Sequence, residues 1–373
     1  MFKKVIVVLL IITAFVLGYL LGINKDKTEY ESIKIGVVIF KTGGAAQYGE
    51  WIKNGLDMAQ EEINANDFLV GKKIELIYED DKTDSKVAVS AINKLISIEK
   101  TQIIIAGVTS SSALSIAPIA EKNKVVLFSP CSSNPQLTNA GDYIFRNWPS
   151  DNAEGEEMAK FAHKSYKKIA VISMNNDFSL GLRDIFIDSF KKLGGEVTFS
   201  DSFQSGTSDF RSIVTKLKTV QYDAIYLPAH AFEAANFIKQ SKEMGVNTQF
   251  LGVDTYESPE FIKIAGNSSD GVIYTNLSFN PALKSTTVEN FSNVYFKKYG
   301  QNPEIYSAQS YDALKIIALA IKKAGDSASG AVKAQLYDIK DYDGVSGLTS
   351  FDSNGDVTKP AIIKHIKDGQ FLF

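Results

Sequence analysis

Hydroxyl-rich loops follow two neighbouring predicted strands near the middle of the chain. The first loop, residues 109–112, comes after the apolar run 103–106 and opens a predicted helix over 113–122. The second loop, residues 129–134, follows the apolar run 125–128. Free backbone N–H groups and the positive end of the helix dipole meet at a helix start, which suits an anion. Serines there can also simply cap helices, but two such loops at one sheet edge indicate a site for a carboxylate.

Alternating strand and helix signals position these loops. Apolar runs typical of buried parallel strands occur, in addition to the two above, at residues 33–40, 71–78, 168–173, 196–203, 224–228, 249–253 and 272–275. Segments with apolar residues at helical spacing lie between them, and strands joined by turns end the chain. Two stretches, residues 143–149 and 276–281, interrupt the alternation. The pattern predicts an α/β protein with two doubly wound parallel sheets.

The composition excludes several functional classes. A chain of 373 residues with 45% hydrophobic and 22% charged residues has enough core for two soluble domains. The net charge of -3 argues against a nucleic-acid partner. Cys131 is the single cysteine, and the three histidines are scattered along the sequence. We therefore expect no intrachain disulfide, no metal site and no cofactor.

Residues 1–32 are predicted to be a signal or membrane anchor followed by a short tether. Lys3 and Lys4 precede an apolar run over residues 5–23. As a helix, this run of about 19 residues would span about 28 Å, close to the thickness of a bilayer core. Because no small-x-small cleavage site follows, we favour an uncleaved anchor over a cleaved signal. The rest of the chain is then expected outside the cytoplasm, in the periplasm or at the cell surface.

Three motif-like stretches do not require a nucleotide or a metal ion. Gly43, Gly44 and Gly49 follow the first strand, but neither Gly-Lys-Ser/Thr nor Gly-x-Gly-x-x-Gly is present. The acidic residues within 79–84 fit a solvated loop. Residues 352–356 resemble a calcium loop, but the glycine comes too early and no closing glutamate follows. The Asn-Gly pair within them predicts a hairpin turn instead.

Short motifs recur in a fixed order from residue 33 to the C-terminus. They are Ile35-Gly36-Val37-Val38, Thr42-Gly43, Gln47-Tyr48-Gly49, Tyr78-Glu79-Asp80-Asp81, Gly107-Val108-Thr109-Ser110-Ser111-Ser112, Ser129-Pro130-Cys131-Ser132-Ser133-Asn134-Pro135, Asp209-Phe210, Phe250-Leu251-Gly252, Phe351-Asp352 and Asn354-Gly355-Asp356. Their order and spacing resemble the type I periplasmic solute-binding proteins, specifically the branched-chain amino-acid (Leu/Ile/Val) binding group of ABC transporters.

The resemblance implies two lobes that hold a ligand between them and are joined by three hinge crossings. It implies crossings near residues 146–149, 276–281 and 347–350, an N-terminal lobe of 33–147 plus 279–347, and a C-terminal lobe of 148–278 plus 348–373. The implied function is capture of a small amino acid by hinge closure and delivery to the permease of an ABC transporter.

The resemblance also assigns roles to single residues. Ser110 would bind the α-carboxylate of the ligand, helped by the amides of the helix start, and the Ser133 hydroxyl would contact the same group. Cys131 would offer its backbone carbonyl to the α-ammonium group. Asp254 would pair with that ammonium, in a charge-assisted bond of about 1.5–3 kcal/mol. Without the resemblance, Asp254 is equally well explained as an N-cap.

Four further side chains are expected around the side chain of the ligand. Tyr48 and Tyr311 fall at aromatic positions of the family's site, although core packing is an alternative for both. Phe178 and His230 stand where leucine-type binders commonly carry tyrosine. Phe178 lacks a hydroxyl, and His230 adds a group that titrates near neutrality. A larger, polar or acidic ligand, or an amide or urea, therefore stays open.

Two other functions are alternatives to solute binding. A hydrolase with Ser110 or Cys131 as nucleophile would need a histidine base, and His230 is the one candidate near the predicted cleft. Because no Gly-x-Ser-x-Gly elbow is present, we do not expect an enzyme. A ligand-sensing ectodomain remains an alternative, and it would require a separate signalling partner.

Overall fold

The computed structural model describes residues 30–42, 46–277, 279 and 285–373. The predicted membrane anchor over residues 5–23 lies outside these ranges. Among the residues described, no helix combines the length and the apolar character needed to cross a membrane.

The first sheet has five strands, all parallel, in the order β2-β1-β3-β4-β5. Its strands are β1 (Glu31–Ile39), β2 (Lys72–Asp80), β3 (Ile103–Ile105), β4 (Val126–Ser129) and β5 (Ile144–Arg146). Three helices alternate with them: α1 (Ala46–Ala65), α2 (Ser85–Ser97) and α3 (Ser110–Asn123). β3 and β4 are fully buried, because helices cover both faces of a doubly wound sheet. β5 was expected as part of a crossing, but it pairs with β4 and extends the sheet.

The second sheet has seven strands in the order β14-β13-β10-β9-β8-β6-β7. Its strands are β6 (Lys168–Met174), β7 (Glu196–Phe203), β8 (Ala224–Tyr226), β9 (Gln249–Gly252), β10 (Ile273–Leu277), β13 (Ala361–Lys367) and β14 (Gln370–Leu372). The helices that pack on it are α4 (Asp151–Ser165), α5 (Asp177–Lys192), α6 (Arg211–Leu217), α7 (Ala231–Glu243) and α8 (Pro259–Ala265).

One edge of the second sheet departs from the predicted parallel arrangement. β13 pairs antiparallel with β10, and β14 pairs antiparallel with β13. Asp368 and Gly369, which join β13 to β14, both have positive φ angles, of 50° and 70°. A two-residue hairpin of this kind connects antiparallel strands, which agrees with the strands joined by turns that were predicted for the end of the chain. It adds an antiparallel edge to the predicted parallel sheet.

The remaining elements pack on the first sheet. They are α9 (Thr286–Tyr299), α10 (Ile305–Ala324), α11 (Ser329–Tyr337) and the hairpin of β11 (Tyr342–Gly344) and β12 (Gly347–Thr349). Helix α11 was not predicted, since only Val332 and Leu336 of its nine residues are buried and its apolar periodicity is weak. We call the five-stranded sheet with its packed elements the first lobe, and the seven-stranded sheet with its helices the second lobe.

The last passage of the chain between the lobes lies later than predicted. Phe351 and Val357 form an antiparallel bridge and belong to the core of the first lobe. β13 of the second lobe begins at Ala361. The chain therefore passes between the lobes at residues 358–360, and not at the predicted crossing over residues 347–350.

Both lobes use the same strand order. The first lobe runs 2-1-3-4-5, and β6 to β10 repeat this order in the second lobe as β7-β6-β8-β9-β10. In each lobe the order reverses beside the first strand, which opens a crevice at the carboxyl ends of the central strands. The loops after the first, third and fourth strands of each lobe are therefore placed to contact a ligand.

Candidate functional site

A cavity lies between the carboxyl ends of the two sheets. Its empty space, including the opening to solvent, is about 520 Å³. The loops after the first, third and fourth strands of each lobe supply most of its walls. The lining residues are Phe40, Tyr48, Val108, Thr109, Ser110, Cys131 and Tyr306 from the first lobe, and Phe178, His230, Asp254 and Thr255 from the second lobe.

The first-lobe wall is built on the start of α3. Thr109 is the N-cap, and its hydroxyl accepts the Ser112 N–H at 3.2 Å. Ser110 is the first helical residue and is only 2% exposed. Its Oγ accepts the Asn134 N–H at 3.3 Å and lies 3.5 Å from the Ser132 Oγ, so the two hydroxyl loops touch. Free amides at a helix start of this kind favour an anion.

The second hydroxyl loop is held against the first by Ser129. Its hydroxyl donates to the Gly107 carbonyl at 2.8 Å and accepts the Ser132 N–H at 3.0 Å. Gly107 has a φ angle of 72°, and a Cβ there would lie 2.8 Å from the Ala113 Cβ, so this turn requires glycine. Cys131 faces the cavity from this loop, and burial raises the pKa of its thiol well above the usual value.

The second-lobe wall presents Asp254. This residue begins a short 3-10 turn after β9 and is only 4% exposed. It does not serve as the N-cap, because Val253 occupies that position, so the alternative role considered for Asp254 is wrong. Its Oδ2 lies 3.4 Å from the Tyr306 hydroxyl, and its Oδ1 has no hydrogen-bond partner. Burial raises the pKa of Asp254 to about 7.

Aromatic rings form the rest of the cavity. Tyr306 stacks on Trp148, with ring centroids 5.4 Å apart, and meets Tyr48 edge to face at 5.0 Å. The Tyr48 hydroxyl donates to the Thr255 carbonyl at 3.2 Å and so joins the two lobes. These rings leave a small, largely apolar space beside the polar groups of Ser110 and Asp254.

Residues 32–370 match the family model described as periplasmic binding protein. The chain belongs to the periplasmic binding protein family. This is a family of solute-binding proteins rather than of enzymes, and membership implies a location outside the cytoplasm.

Curated relatives of this periplasmic binding protein align over most of their length. A Leu/Ile/Val-binding protein homolog from Brucella melitensis is 29% identical over 339 residues, covering 89% of this chain and 90% of the relative. A leucine-, isoleucine-, valine-, threonine- and alanine-binding protein from Pseudomonas aeruginosa is 28% identical over 332 residues, covering 88% of this chain and 87% of the relative.

Solved structures agree with the fold. A leucine-binding protein from Thermotoga maritima superposes with a TM-score of 0.86 at 32% identity, covering 91% of this chain and 97% of that structure. A branched-chain amino-acid transporter substrate-binding protein from Streptococcus pneumoniae, solved with isoleucine, gives a TM-score of 0.85 at 29% identity, covering 91% and 98%. The prediction of a type I α/β fold with parallel-sheet lobes is therefore confirmed.

Two predicted site residues of this binding protein lie outside the cavity. The Tyr311 hydroxyl donates to the Glu62 carboxylate, which also pairs with Lys315 at 2.8 Å, and all three line a second cavity within the first lobe. The placement predicted for Tyr311 is therefore wrong. Ser133 is buried beside α4, where its carbonyl accepts the Asp151 N–H at 2.8 Å, and it does not line the cavity between the lobes.

Tyr306 takes the place expected for Tyr311. The two residues are five positions apart on α10, which turns their side chains about 140° away from each other. A sequence signal for the correct choice existed, because Glu304 and Ser307 form a capping box. A capping box fixes the helix start, and it places Tyr306 in the first turn, at the end nearest the cavity.

Further lining residues were missed by sequence reasoning. Phe40, Val108 and Thr255 contribute to the walls, yet each reads as an ordinary strand-end or loop residue. Over the described part of the chain, no three His, Cys, Asp or Glu side chains are arranged to hold a metal ion.

Proposed function

We propose that this protein captures an α-amino acid with a small, branched-chain-like side chain between its lobes and presents it to the permease of an ABC transporter. One observation carries the proposal: Ser110, at an amide-rich helix start, and Asp254, an acid with an unpartnered oxygen, line one cavity from opposite lobes. A zwitterion carries a carboxylate for the first group and an ammonium for the second. The relatives named for leucine, isoleucine and valine support the same ligand class.

The apolar part of the cavity fits the ligand's side chain. Phe178 and His230 approach each other with ring centroids 5.8 Å apart, and both line the cavity with Phe40 and Val108. Burial lowers the pKa of His230, and the nearby Glu233 opposes that shift only in part. The imidazole is then neutral at pH 7, so it tolerates an aliphatic side chain and can also hydrogen-bond to a small polar one.

Hinge closure is the mechanism that fits the chain path. The lobes comprise residues 31–147 plus 279–357 and 148–278 plus 358–373. The third hinge crossing moves from residues 347–350 to 358–360 because Val357 packs in the first lobe. Asn134 of the first lobe donates to the Asp177 carbonyl of the second lobe at 2.7 Å. Bonds of this kind form when the lobes close around a ligand and break when they open.

The N-terminal segment completes the proposal. Residues 1–30 act as an uncleaved anchor and tether, two residues shorter than predicted because β1 begins at Glu31, and this segment holds the two lobes at the outer face of the cytoplasmic membrane beside the permease. Capture and delivery then require no catalytic step by the protein itself.

Titration calorimetry with a panel of amino acids tests the ligand class. We expect at least one of leucine, isoleucine and valine to bind, and the panel should include threonine, glutamate, glutamine and urea because of His230. The absence of binding to any α-amino acid at high micromolar concentration would contradict the proposal.

Replacement of Asp254 tests the ammonium contact. In Asp254→Asn the charge-assisted bond is weakened, and we expect a loss of affinity of about tenfold or more. Asp343→Asn is the matched control, since this carboxylate lies at the second cavity and its replacement should leave the affinity unchanged. An unaltered affinity in Asp254→Asn would remove Asp254 from the site.

A further inference from the structure

Two more buried acids lie behind Asp254, on the first turn of α4. Asp151 is 1% exposed and Glu154 is 3% exposed. The Glu154 Oε2 accepts a hydrogen bond from the Thr275 hydroxyl of β10 at 3.1 Å, whereas its Oε1 has no partner. Neither carboxylate oxygen of Asp151 has a partner within hydrogen-bonding distance, although the Ser133 hydroxyl lies close enough to lower the pKa of this acid.

Among the described residues, no cation is bonded to these acids, and the charge of Arg146 lowers the pKa of Asp151 without cancelling the increase that burial causes. The nearest guanidinium, that of Arg146, is bonded to Asp356 at 2.6 and 2.7 Å. The ammonium of Lys364 is bonded to Glu257 at 2.6 and 2.8 Å. The other titratable groups near Glu154 on the packed elements are the Tyr226 and Tyr306 phenols, and burial raises the pKa of both well above the usual value.

Like charges that are buried together cannot all be ionised, because each one raises the free energy of ionising the next. Burial, and next the charge of Asp254, raises the pKa of Glu154 well above its usual value. The hydroxyl of Thr275 and the backbone N–H of Asp254 lower that pKa without cancelling the increase. Asp254 lines the cavity, which opens to solvent, whereas Glu154 lies behind it with one oxygen buried and unpartnered. Asp254 is therefore the first of the two to ionise, and Glu154 is the one that stays protonated.

We propose that Glu154 is a positioning residue that keeps a proton while Asp254 is ionised, so that the pair presents one negative charge to the ammonium group of the ligand. Glu154 does not line the cavity and acts only through Asp254. This inference rests on the proposed amino-acid function for its ligand, but the protonation of Glu154 itself does not depend on any ligand.

Glutamine has nearly the shape and the charge of a protonated glutamate, so Glu154→Gln should change the affinity for the amino acid very little. We expect this variant to bind the amino acid within about threefold of wild type between pH 6 and 8. A weakening of tenfold or more would overturn the proposal, since it would mean that Glu154 contributes a second negative charge. Glu289→Gln, an exposed acid on α9, is the control.

Infrared spectroscopy of the ligand-free protein tests the proton directly. At pH 8 we expect a carbonyl band of a protonated carboxylic acid that is present in wild type and in Glu289→Gln and absent in Glu154→Gln. If Glu154→Gln does not fold, wild type labelled with ¹³C-glutamate serves instead, because the label shifts the band only when it belongs to a glutamate. A band that does not shift in the labelled protein, or the absence of any band at pH 8, would overturn the proposal.

The two tests separate this inference from the proposed function. If no amino acid binds, the ligand class is wrong, yet the infrared band still decides whether Glu154 holds a proton. If an amino acid binds and the band is missing, the ligand class stands and the role of Glu154 is overturned.

Discussion

The two lobes that enclose the cavity have the same strand order, yet they differ in how the polar groups buried in and behind the cavity walls are satisfied. In the first lobe, the Arg146 guanidinium binds Asp356, and the hydroxyls of the two loops bond to each other and to the backbone. In the second lobe, Asp151, Glu154 and Asp254 each retain at least one oxygen without a partner. The topology thus determines where the walls lie, and the side chains determine whether the polar groups of each lobe have partners.

The difference has a simple electrostatic meaning. A buried anion without a partner is unfavourable, and the free energy improves when a cation arrives or a proton is taken up. The first-lobe wall needs neither, because its amides and hydroxyls carry no net charge. The second-lobe wall needs either a cation or a proton at Asp254, so the ammonium group of a ligand and a proton compete for this carboxylate.

The largest effect is expected when the ion pair of Arg146 and Asp356, which supports the second hydroxyl loop from behind the first-lobe wall, is broken. In Asp356→Asn, the buried Arg146 loses its partner, and we expect the free energy of unfolding to fall by about 3–5 kcal/mol. Urea denaturation at pH 7 measures this change. A loss below about 1 kcal/mol would mean that the first-lobe wall does not depend on the ion pair.

Replacement of a buried aspartate by asparagine in the second lobe, at Asp151, should raise the free energy of unfolding instead of lowering it. Burial raises the pKa of Asp151 to about 7, so the folded protein binds a proton that the unfolded chain releases near pH 4. Stability from this group is therefore lost as the pH rises from about 4 to 7. We expect Asp151→Asn to be more stable than wild type by on the order of 2 kcal/mol at pH 8, and nearly equal to it at pH 4.

Denaturation of wild type and Asp151→Asn at both pH values provides the check. A variant less stable than wild type at pH 8 would show that an unseen partner satisfies the Asp151 carboxylate, and the contrast between the walls would no longer hold.

The smallest effect is a difference in ligand affinity between variants of two tyrosines of α10. Tyr306→Leu removes a ring that lines the cavity and stacks on Trp148, and we expect an affinity loss of about tenfold, or about 1.4 kcal/mol. Tyr311→Leu changes only the second cavity, and its affinity should stay within about twofold of wild type. Titration calorimetry measures the affinity of both variants for the amino acid. Equal losses would indicate that the second cavity is coupled to the first.

The sequence carried enough information for the strands and for most of the cavity. Buried parallel strands are continuous apolar runs, so their loops, with Ser110 and Asp254, could be placed without coordinates. The side chains of Ser133 and Tyr311 could not, because their direction depends on local turn geometry and on the phase of a helix. The strands joined by turns that were predicted at the end of the chain correspond to β13 and β14. The antiparallel pairing of β13 with β10 could not be predicted, since a short strand near a chain end fits either orientation. The charge balance of the second-lobe wall could not be predicted either, because Asp151, Glu154 and Asp254 are distant in sequence from Thr275 and Tyr306.

The late passage of the chain back into the second lobe has a consequence for folding. Helix α10 fills the core of the first lobe against α1, and β13 and β14 then extend a sheet whose other strands precede α10 in the sequence. Neither lobe is complete until the last part of the chain is available. The lobes are therefore interdependent in assembly, and contacts between residues far apart in sequence make that assembly slow relative to helical proteins of local topology.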